Sequence, residues 1–423
     1  MRRRLPPVLQ QREYALLWST LLVTALGTQM TAVAVGWQVY GIHRSAFDLG
    51  LIGLAEFVPL PLLALPAGHL ADRFPKRLVV AGSLVVEGAV PALLLVVTVS
   101  GVHQLWPYLA LAFATGAASA LGTPAARALF PELVQPDLLA GAMALRSIAG
   151  QVAVVAGPAI GGLLFAVKPE VVYAAAAGLF TVGFACTLAL RAPQPVARGV
   201  EQTPGLASVL AGIRFIRRTP VMLGAISLDL FAVLFGGAVA LLPLFARSIL
   251  HTGPAGLGVL RSAPAVGALV AGVLIARRPL SGSAGRTLLV VVAVFGASMV
   301  VFGTSRWFAL SLVALAVSGF ADMISMNIRS MTVALATPEA LRGRVNAVEM
   351  VFISASNELG AFESGVAAAL LGAVPAVVAG GAATVAIALL WTRLFPALAR
   401  VDRLEELRPV EAYASPGLTR PDS

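Results

Sequence analysis

Twelve apolar stretches divide this chain from near its first residue to near its last, and each is long enough to carry a helix across a lipid bilayer. A membrane-crossing helix needs about 20 such residues. The stretches run over 14–40, 48–70, 78–99, 105–127, 140–166, 170–191, 220–246, 255–276, 286–304, 307–331, 345–372 and 375–396. None shows the strict alternation of a half-buried strand, so helices are expected throughout. Charged residues make up only 12% of the chain, against roughly 25% in soluble domains. So few charges cannot clothe a surface that faces water. Disordered, collagen-like and disulfide-rich classes are excluded by the same composition. The one cysteine, Cys186, makes no intrachain disulfide and no Cys-based metal site. The first stretch is longer than a signal-peptide core and has no small-residue cleavage site leading into a soluble domain. The expected fold class is an all-α polytopic membrane protein.

The basic residues set its orientation. With the N-terminus in the cytoplasm, 23 Lys and Arg fall in inside segments and four (Arg44, Lys168, Arg247 and Arg306) in outside loops. Such an asymmetry places both termini inside. It also accounts for the net charge of +10 without a nucleic-acid partner. The longest polar interruption, 192–219, reads as a linker. Its second half sets Leu206, Val209, Leu210, Ile213 and Ile216 at helical spacing and ends on Arg214, Arg217 and Arg218, the pattern of an amphipathic helix lying on the inner leaflet. A shift of 202 residues lays Arg127 on Arg329, Pro136 on Pro338, Leu139 on Leu341 and Gly141 on Gly343, with Asp137 on Glu339. This suggests a parallel repeat: an N-terminal six-helix bundle over 1–191, a linker over 192–219, a pseudo-symmetric C-terminal six-helix bundle over 220–396 and a cytoplasmic tail over 397–423. That is the layout of a transporter with its substrate bound where the halves meet.

Three motifs stand out. After the second span comes Gly68-His69-Leu70-Ala71-Asp72-Arg73-Phe74-Pro75-Lys76-Arg77. A lone carboxylate there can sit at a neighbouring helix N-terminus, where free amides favour it. The segment resembles the loop 2–3 signature of the major facilitator superfamily, with Pro75 where the family has Gly. In the fifth span, Ala153, Gly157, Pro158, Gly161 and Gly162 combine small residues for close helix approach with a proline kink. They resemble the antiporter motif of exporters in that superfamily, with Ala153 for its first Gly; plain helix packing is the alternative. Third, Pro338–Val348 and Ser356–Gly365, with Gly36-Trp37-Gln38-Val39-Tyr40 and Ser45–Leu51, resemble the enterobactin-exporter-like branch, which includes drug–proton antiporters of the macrolide-efflux type. The resemblance implies twelve transmembrane helices, with spans 1, 4, 7 and 10 lining a cavity and spans 2, 5, 8 and 11 between the halves. It implies a monomeric protein of the bacterial cytoplasmic membrane that exchanges protons for a small amphipathic compound, siderophore or drug-like. Asp72 would then cap span eleven near Arg344, Val345 and Asn346 and lock one state, with Arg73, Lys76 and Arg77 beside it.

Ionisable groups inside a membrane are costly and default to functional candidates. Glu56, Glu87, Asp229 and Glu358 sit about halfway across, and Arg146 and Arg261 are the intramembrane cations. On a helix turning about 100° per residue, Glu349 and Glu363 share a face of span eleven and Glu358 points the opposite way. Asp229, Glu358 and, in reserve, Glu56 are the proton-coupling candidates, with Arg146 or Arg261 able to tie one of them up. Glu87 reads as a structural ion-pair partner. Gln29, Gln38, Asp322, Asn327 and Glu363 are substrate-cavity candidates; interhelical hydrogen bonding is the equal alternative for the two glutamines.

The chain has no phosphate-binding loop, no HExxH and no GxSxG, and its four histidines are scattered. No enzyme activity, metal or cofactor is expected. The partners expected are a small-molecule substrate, protons and the lipid bilayer. The reading is a proton-coupled exporter working by alternating access; a metabolite importer and a transport-dead membrane sensor on the same fold are the alternatives.

Overall fold

The computed structural model describes residues 6–191, 206–278 and 282–401. The first half of the linker, 192–205, and the tail from 402 lie outside the described residues. The described residues form helices α1 Arg12–His43, α2 Ala46–Phe57, α3 Pro59–Arg73, α4 Lys76–Val99, α5 Trp106–Leu129, α6 Leu139–Val167, α7 Pro169–Ala189 and α8 Leu206–Arg218. They continue with α9 Pro220–Gly236, the short α10 Leu242–Leu244, α11 Pro254–Arg277, α12 Ala284–Thr304, α13 Phe308–Ala336, α14 Arg342–Leu371, α15 Ala373–Leu394 and α16 Pro396–Ala399.

Local chemistry explains the starts and the polar interruptions. Proline opens α7, α9 and α11, where its missing N–H costs nothing and its φ is already helical. Ser45 caps α2 by accepting from the Asp48 amide. Threonines along α1 donate back to the preceding turn, Thr24 to Thr20, Thr28 to Thr24 and Thr31 to Gly27 at 2.8–3.0 Å, so their hydroxyls stay bonded without water. Large apolar side chains such as Val96, Val290 and Leu389 are exposed, which suits a surface solvated by lipid.

Among the described residues eleven spans are long and apolar enough to cross a membrane. The expected twelfth, α14, reaches 30 residues but carries Arg342, Arg344, Glu349, Glu358 and Glu363 and is not among the eleven. Two expected single spans are interrupted. The second loses its hydrogen-bond ladder between α2 and α3, where Pro59 and Pro61 cannot donate to the preceding turn although Val58 keeps helical geometry. The seventh breaks after Gly236: Gly237 and Ala238 leave helical geometry, and the chain resumes through a 3₁₀ turn, α10 and a π-helical turn over Phe245–Ile249. The freed Gly237 carbonyl accepts from Ser364 of α14 at 2.9 Å. Helix α13 runs to Ala336, past the expected end of its span, and so carries Arg329 two turns inside it.

α8 forms over the expected residues; of its apolar face Leu210 is exposed, while the C-terminal turn packs inward. Phe215 and Ile216 are buried with Met222, Val333, Val345 and Val348, and a Cβ on Gly212 would touch the Arg344 carbonyl of α14 at 2.9 Å. The 202-residue offset reappears in the helices themselves, since α5 opens at Trp106 and α13 at Phe308.

Successive spans alternate in direction. One end of the molecule, the near end, holds the start of α1; the other is the far end. Helices before and after the linker meet most closely toward the far end. There α6 crosses α11 with no room for side chains: a Cβ on Gly162 would overlap the Pro254 carbonyl, and one on Gly258 the Pro158 carbonyl. α2 crosses α14 likewise, and a Cβ on Gly365 would lie 2.7 Å from the Gly50 Cα. Gly258→Val is therefore expected to hold the far end apart. With Cys186 replaced by Ser, a Tyr40→Cys/Ser248→Cys pair should be bridged by a short thiol cross-linker, because these side chains meet at 2.7 Å in the native chain. Adding Gly258→Val should lower the yield about tenfold, the scale of a coupling near 1.4 kcal/mol. An unchanged yield would contradict the role of this crossing.

Candidate functional site

A charged cluster lies where α2, α11 and α14 converge. Glu56 stands at the last turn of α2, next to the break, and its backbone is pressed against α5: a Cβ on Gly116 would overlap the Glu56 carbonyl. One turn earlier, a Cβ on Gly53 would lie 3.6 Å from the Glu358 carboxylate. Arg261 of α11 interacts electrostatically with both Glu56 and Glu358, and the two acids with each other. All three are half-buried. Among the described residues no ion-pair contact joins them, so the guanidinium is locked onto neither carboxylate. One cation shared by two acids from helices on either side of the linker is an arrangement that a proton or a ligand can rebalance.

The other acids are differently placed. Asp229 of α9 is ion-paired to Arg329 of α13, and both are buried, at 8% and 5% exposure. Glu349 of α14 also interacts with Arg329 and lines the same small pocket, with Ile226, Leu230, Phe352 and Ile353. The cation that ties up Asp229 is thus Arg329, not Arg146 or Arg261. Glu349 and Glu358 face different partners, as their spacing on one helix requires. Asp322 lies on the face of α13 that also carries Ser325 and Arg329, beside Asp229 and Phe295. Asn327, Glu363 and Glu87 are half-buried and, among the described residues, have no ion-pair partner. For Glu87 this departs from the structural pairing expected of it: α4 turns that stretch outward, with Val85 and Val86 exposed.

Gln38 takes its alternative role, interhelical hydrogen bonding. Its amide donates to Thr98 and Tyr108 at 3.0 and 2.9 Å and accepts from Tyr173 at 2.7 Å, so it joins α1, α4, α5 and α7. Its neighbours in the same stretch form a latch that sequence reasoning did not anticipate. Trp37 lies under the Arg247 guanidinium, 5.2 Å from ring centroid to Cζ. Tyr40 bonds Ser248 at 2.7 Å, and Gly36 meets Pro243. The pattern Gly36–Tyr40 thus closes α1 onto the irregular segment after α10.

The small residues of α6 serve two neighbours. Gly157 packs on Gln29 and Gly161 on the Met30 backbone of α1, while Pro158 and Gly162 meet α11; Ala153 is buried. In the segment after α3, Lys76 pairs with Glu132. Arg77 donates to the Leu188 and Leu190 carbonyls at 2.7 and 2.6 Å, a cation closing the negative end of α7. Gly68 is half-buried and Arg73 exposed; the Asp72 side chain lies outside the described residues.

Long alternating helices, two interrupted spans and a charged cluster between them define a polytopic transporter of the major facilitator fold. The chain belongs to the family of transmembrane secretion effectors, whose sequence profile matches residues 5–419. It is 29% identical over 370 residues to the enterobactin exporter EntS of Shigella boydii serotype 18 (strain CDC 3083-94 / BS512), covering 84% of this chain and 83% of that one. It is 25% identical over 300 residues to the MFS-type transporter YfiS of Bacillus subtilis (strain 168), covering 68% and 70%. Among solved structures it superposes on a bacterial homologue of the human lysosomal transporter Spinster, inward-facing and occupied, with a TM-score of 0.72 at 14% identity, covering 92% and 98%. The nucleoside transporter NupG superposes with a TM-score of 0.70 at 13% identity, covering 90% and 98%. The family is one of transporters rather than enzymes. Secondary transport of a small molecule across a bacterial membrane is the function this membership supports.

Proposed function

We propose that the chain exports a small amphipathic compound, siderophore or drug-like, from the cytoplasm in exchange for protons. Two six-helix bundles, 1–191 and 220–396 with α14 as the twelfth span, rock about the cluster of Glu56, Arg261 and Glu358. Both termini lie in the cytoplasm, so the near end is cytoplasmic and the far end faces outward. The carrying observation is that cluster, in which one guanidinium serves two carboxylates across the interface of the halves. The tight crossings at the far end correspond to an inward-facing state.

In that state Arg261 competes with protons for the two carboxylates, and a proton leaves toward the cytoplasm as substrate enters. Opening the far end draws α2 away from α11 and α14. Glu56 then parts from Arg261 and takes a proton from outside. Exchange follows because the two states differ in their affinity for protons and substrate. Asp229, ion-paired with Arg329, is assigned to holding the second bundle together.

The test is direction. Everted membrane vesicles acidified inside are expected to accumulate a compound from a panel of siderophores and drugs, and to lose it on addition of a protonophore. Accumulation that needs the opposite gradient identifies an importer, and no flux under either gradient identifies the sensor on the same fold.

A further inference from the structure

The two halves are not electrically alike at the near end. Arg127 of α5 and Arg329 of α13 occupy matching positions in helices that start 202 residues apart. Arg329 is neutralised from both sides, by Asp229 of α9 and Glu349 of α14. Arg127 receives neither. The one acid of α1, Glu13, is bonded to Arg12 and to the Arg191 amide. α6 has no acid at all: opposite the place of Glu349 in the repeat it carries Ser147, and just before it a second guanidinium, Arg146.

Arg127 and Arg146 feel each other's charge. The nearby carboxylate of Glu132 is taken by Lys76. Among the described residues neither arginine has a carboxylate partner. Arg127 points at the Met350 sulfur of α14, and Arg146 lies over the Phe130 ring, 5.3 Å from the centroid. Arg146 is seven residues into α6, about 10 Å along the axis at 1.5 Å per residue. Arg146 is half-buried and Arg127 exposed beside it, so the pair is open to an anion, and a charge at the depth of Arg146 favours a counter-ion. Met143, which shares a face of α6 with Arg146 and Ser147, is exposed, as is Met350. The two methionines give an adaptable apolar surface beside the charges.

We infer that Arg127 and Arg146 form a binding site for the headgroup of an amphipathic organic anion, a carboxylate, sulfonate or phosphate, whose apolar body rests on Met143 and Met350. Two guanidinium forks suit such oxyanions, which they hold in paired hydrogen bonds. The acid-poor first half then collects the anion at the cytoplasmic mouth, while the acid-bearing cluster deeper in the molecule manages protons. The inference rests on the transporter reading only for the direction in which the site faces; binding is measured with no gradient, so it stands or falls apart from proton coupling.

The experiment is calorimetric titration of the purified full chain in lipid-free detergent with naphthalene-2-sulfonate, and with uncharged 2-naphthol as its neutral counterpart. The sulfonate should bind more tightly. Arg127→Gln and Arg146→Gln should each weaken it about tenfold, the scale of one lost charge-assisted hydrogen-bonded pair, and Lys at either position should restore most of the loss. Ser147→Glu returns the acid that the second half has at Glu349, on an exposed and tolerant position, and should weaken the sulfonate similarly while leaving 2-naphthol unchanged. Arg342→Gln, exposed at the same end, should have no effect. Added phosphatidylglycerol distinguishes the sources: competition at equimolar lipid assigns the site to a lipid headgroup, and its absence assigns it to a dissolved anion. Equal binding of sulfonate and naphthol, or sulfonate binding indifferent to Ser147→Glu and to both arginine variants, overturns the inference.

Discussion

Glu358→Gln is expected to uncouple the transporter. Substrate accumulation driven by a pH gradient should fall about a hundredfold relative to counterflow at equal pH, the upper range of a coupling free energy between two sites. The reason is chemical. Gln keeps the size and polarity of the side chain but cannot exchange a proton, so Arg261 is left to Glu56 alone. Counterflow needs only the alternation of the halves, and their far-end crossings contain no part of the Glu358 carboxylate except its approach to Gly53. Glu56→Gln should behave in the same direction. Reconstituted protein in liposomes, assayed with an imposed gradient and then without one, separates the two outcomes. Full gradient-driven accumulation in both variants would remove these acids from the coupling role.

Asp229→Asn is expected to act on stability instead. It leaves the Arg329 guanidinium buried with one partner fewer, and breaking a buried ion pair from one side costs about 3–5 kcal/mol. Glu349, the second acid near Arg329, should absorb part of this, so Glu349→Gln alone is the milder change and the two together exceed either. Asp229→Asn combined with Arg329→Met removes both charges and should recover much of the loss, since a buried pair replaced by apolar groups is often neutral. Thermal unfolding of the detergent-solubilised variants measures this. Whatever folded Asp229→Asn protein remains should keep its gradient-driven transport. Loss of that coupling at undiminished thermal stability would return Asp229 to the proton path.

Much of the molecule was legible without coordinates because membrane helices answer to local rules. Length and hydropathy find the spans, and the distribution of arginine orients them as a hypothesis. The 100° step of a helix separates Glu349 from Glu358 before any neighbour is known, and in the fold the two acids do meet different partners. The 202-residue offset, read from four identities, returns as two helices that start in register. What periodicity cannot state is which distant helix a polar group will meet. Gln38 reads equally as a cavity residue and as interhelical glue, and only packing shows that Thr98, Tyr108 and Tyr173 engage its amide. Asp229 reads as a proton-coupling carboxylate until the packing of α9 against α13 brings Arg329 onto it. The interruptions at Val58 and Gly236 sit inside stretches whose composition is continuous; proline chemistry hints at the first, while at the second Ser364 of α14 donates to the freed Gly237 carbonyl. The Trp37–Arg247 latch joins residues more than 200 positions apart. Composition and periodicity act within a helix, so they reach the class, most of the spans and the helix faces. Ion pairs and close crossings need two helices brought together, and only their packing settled which charges remain free to act.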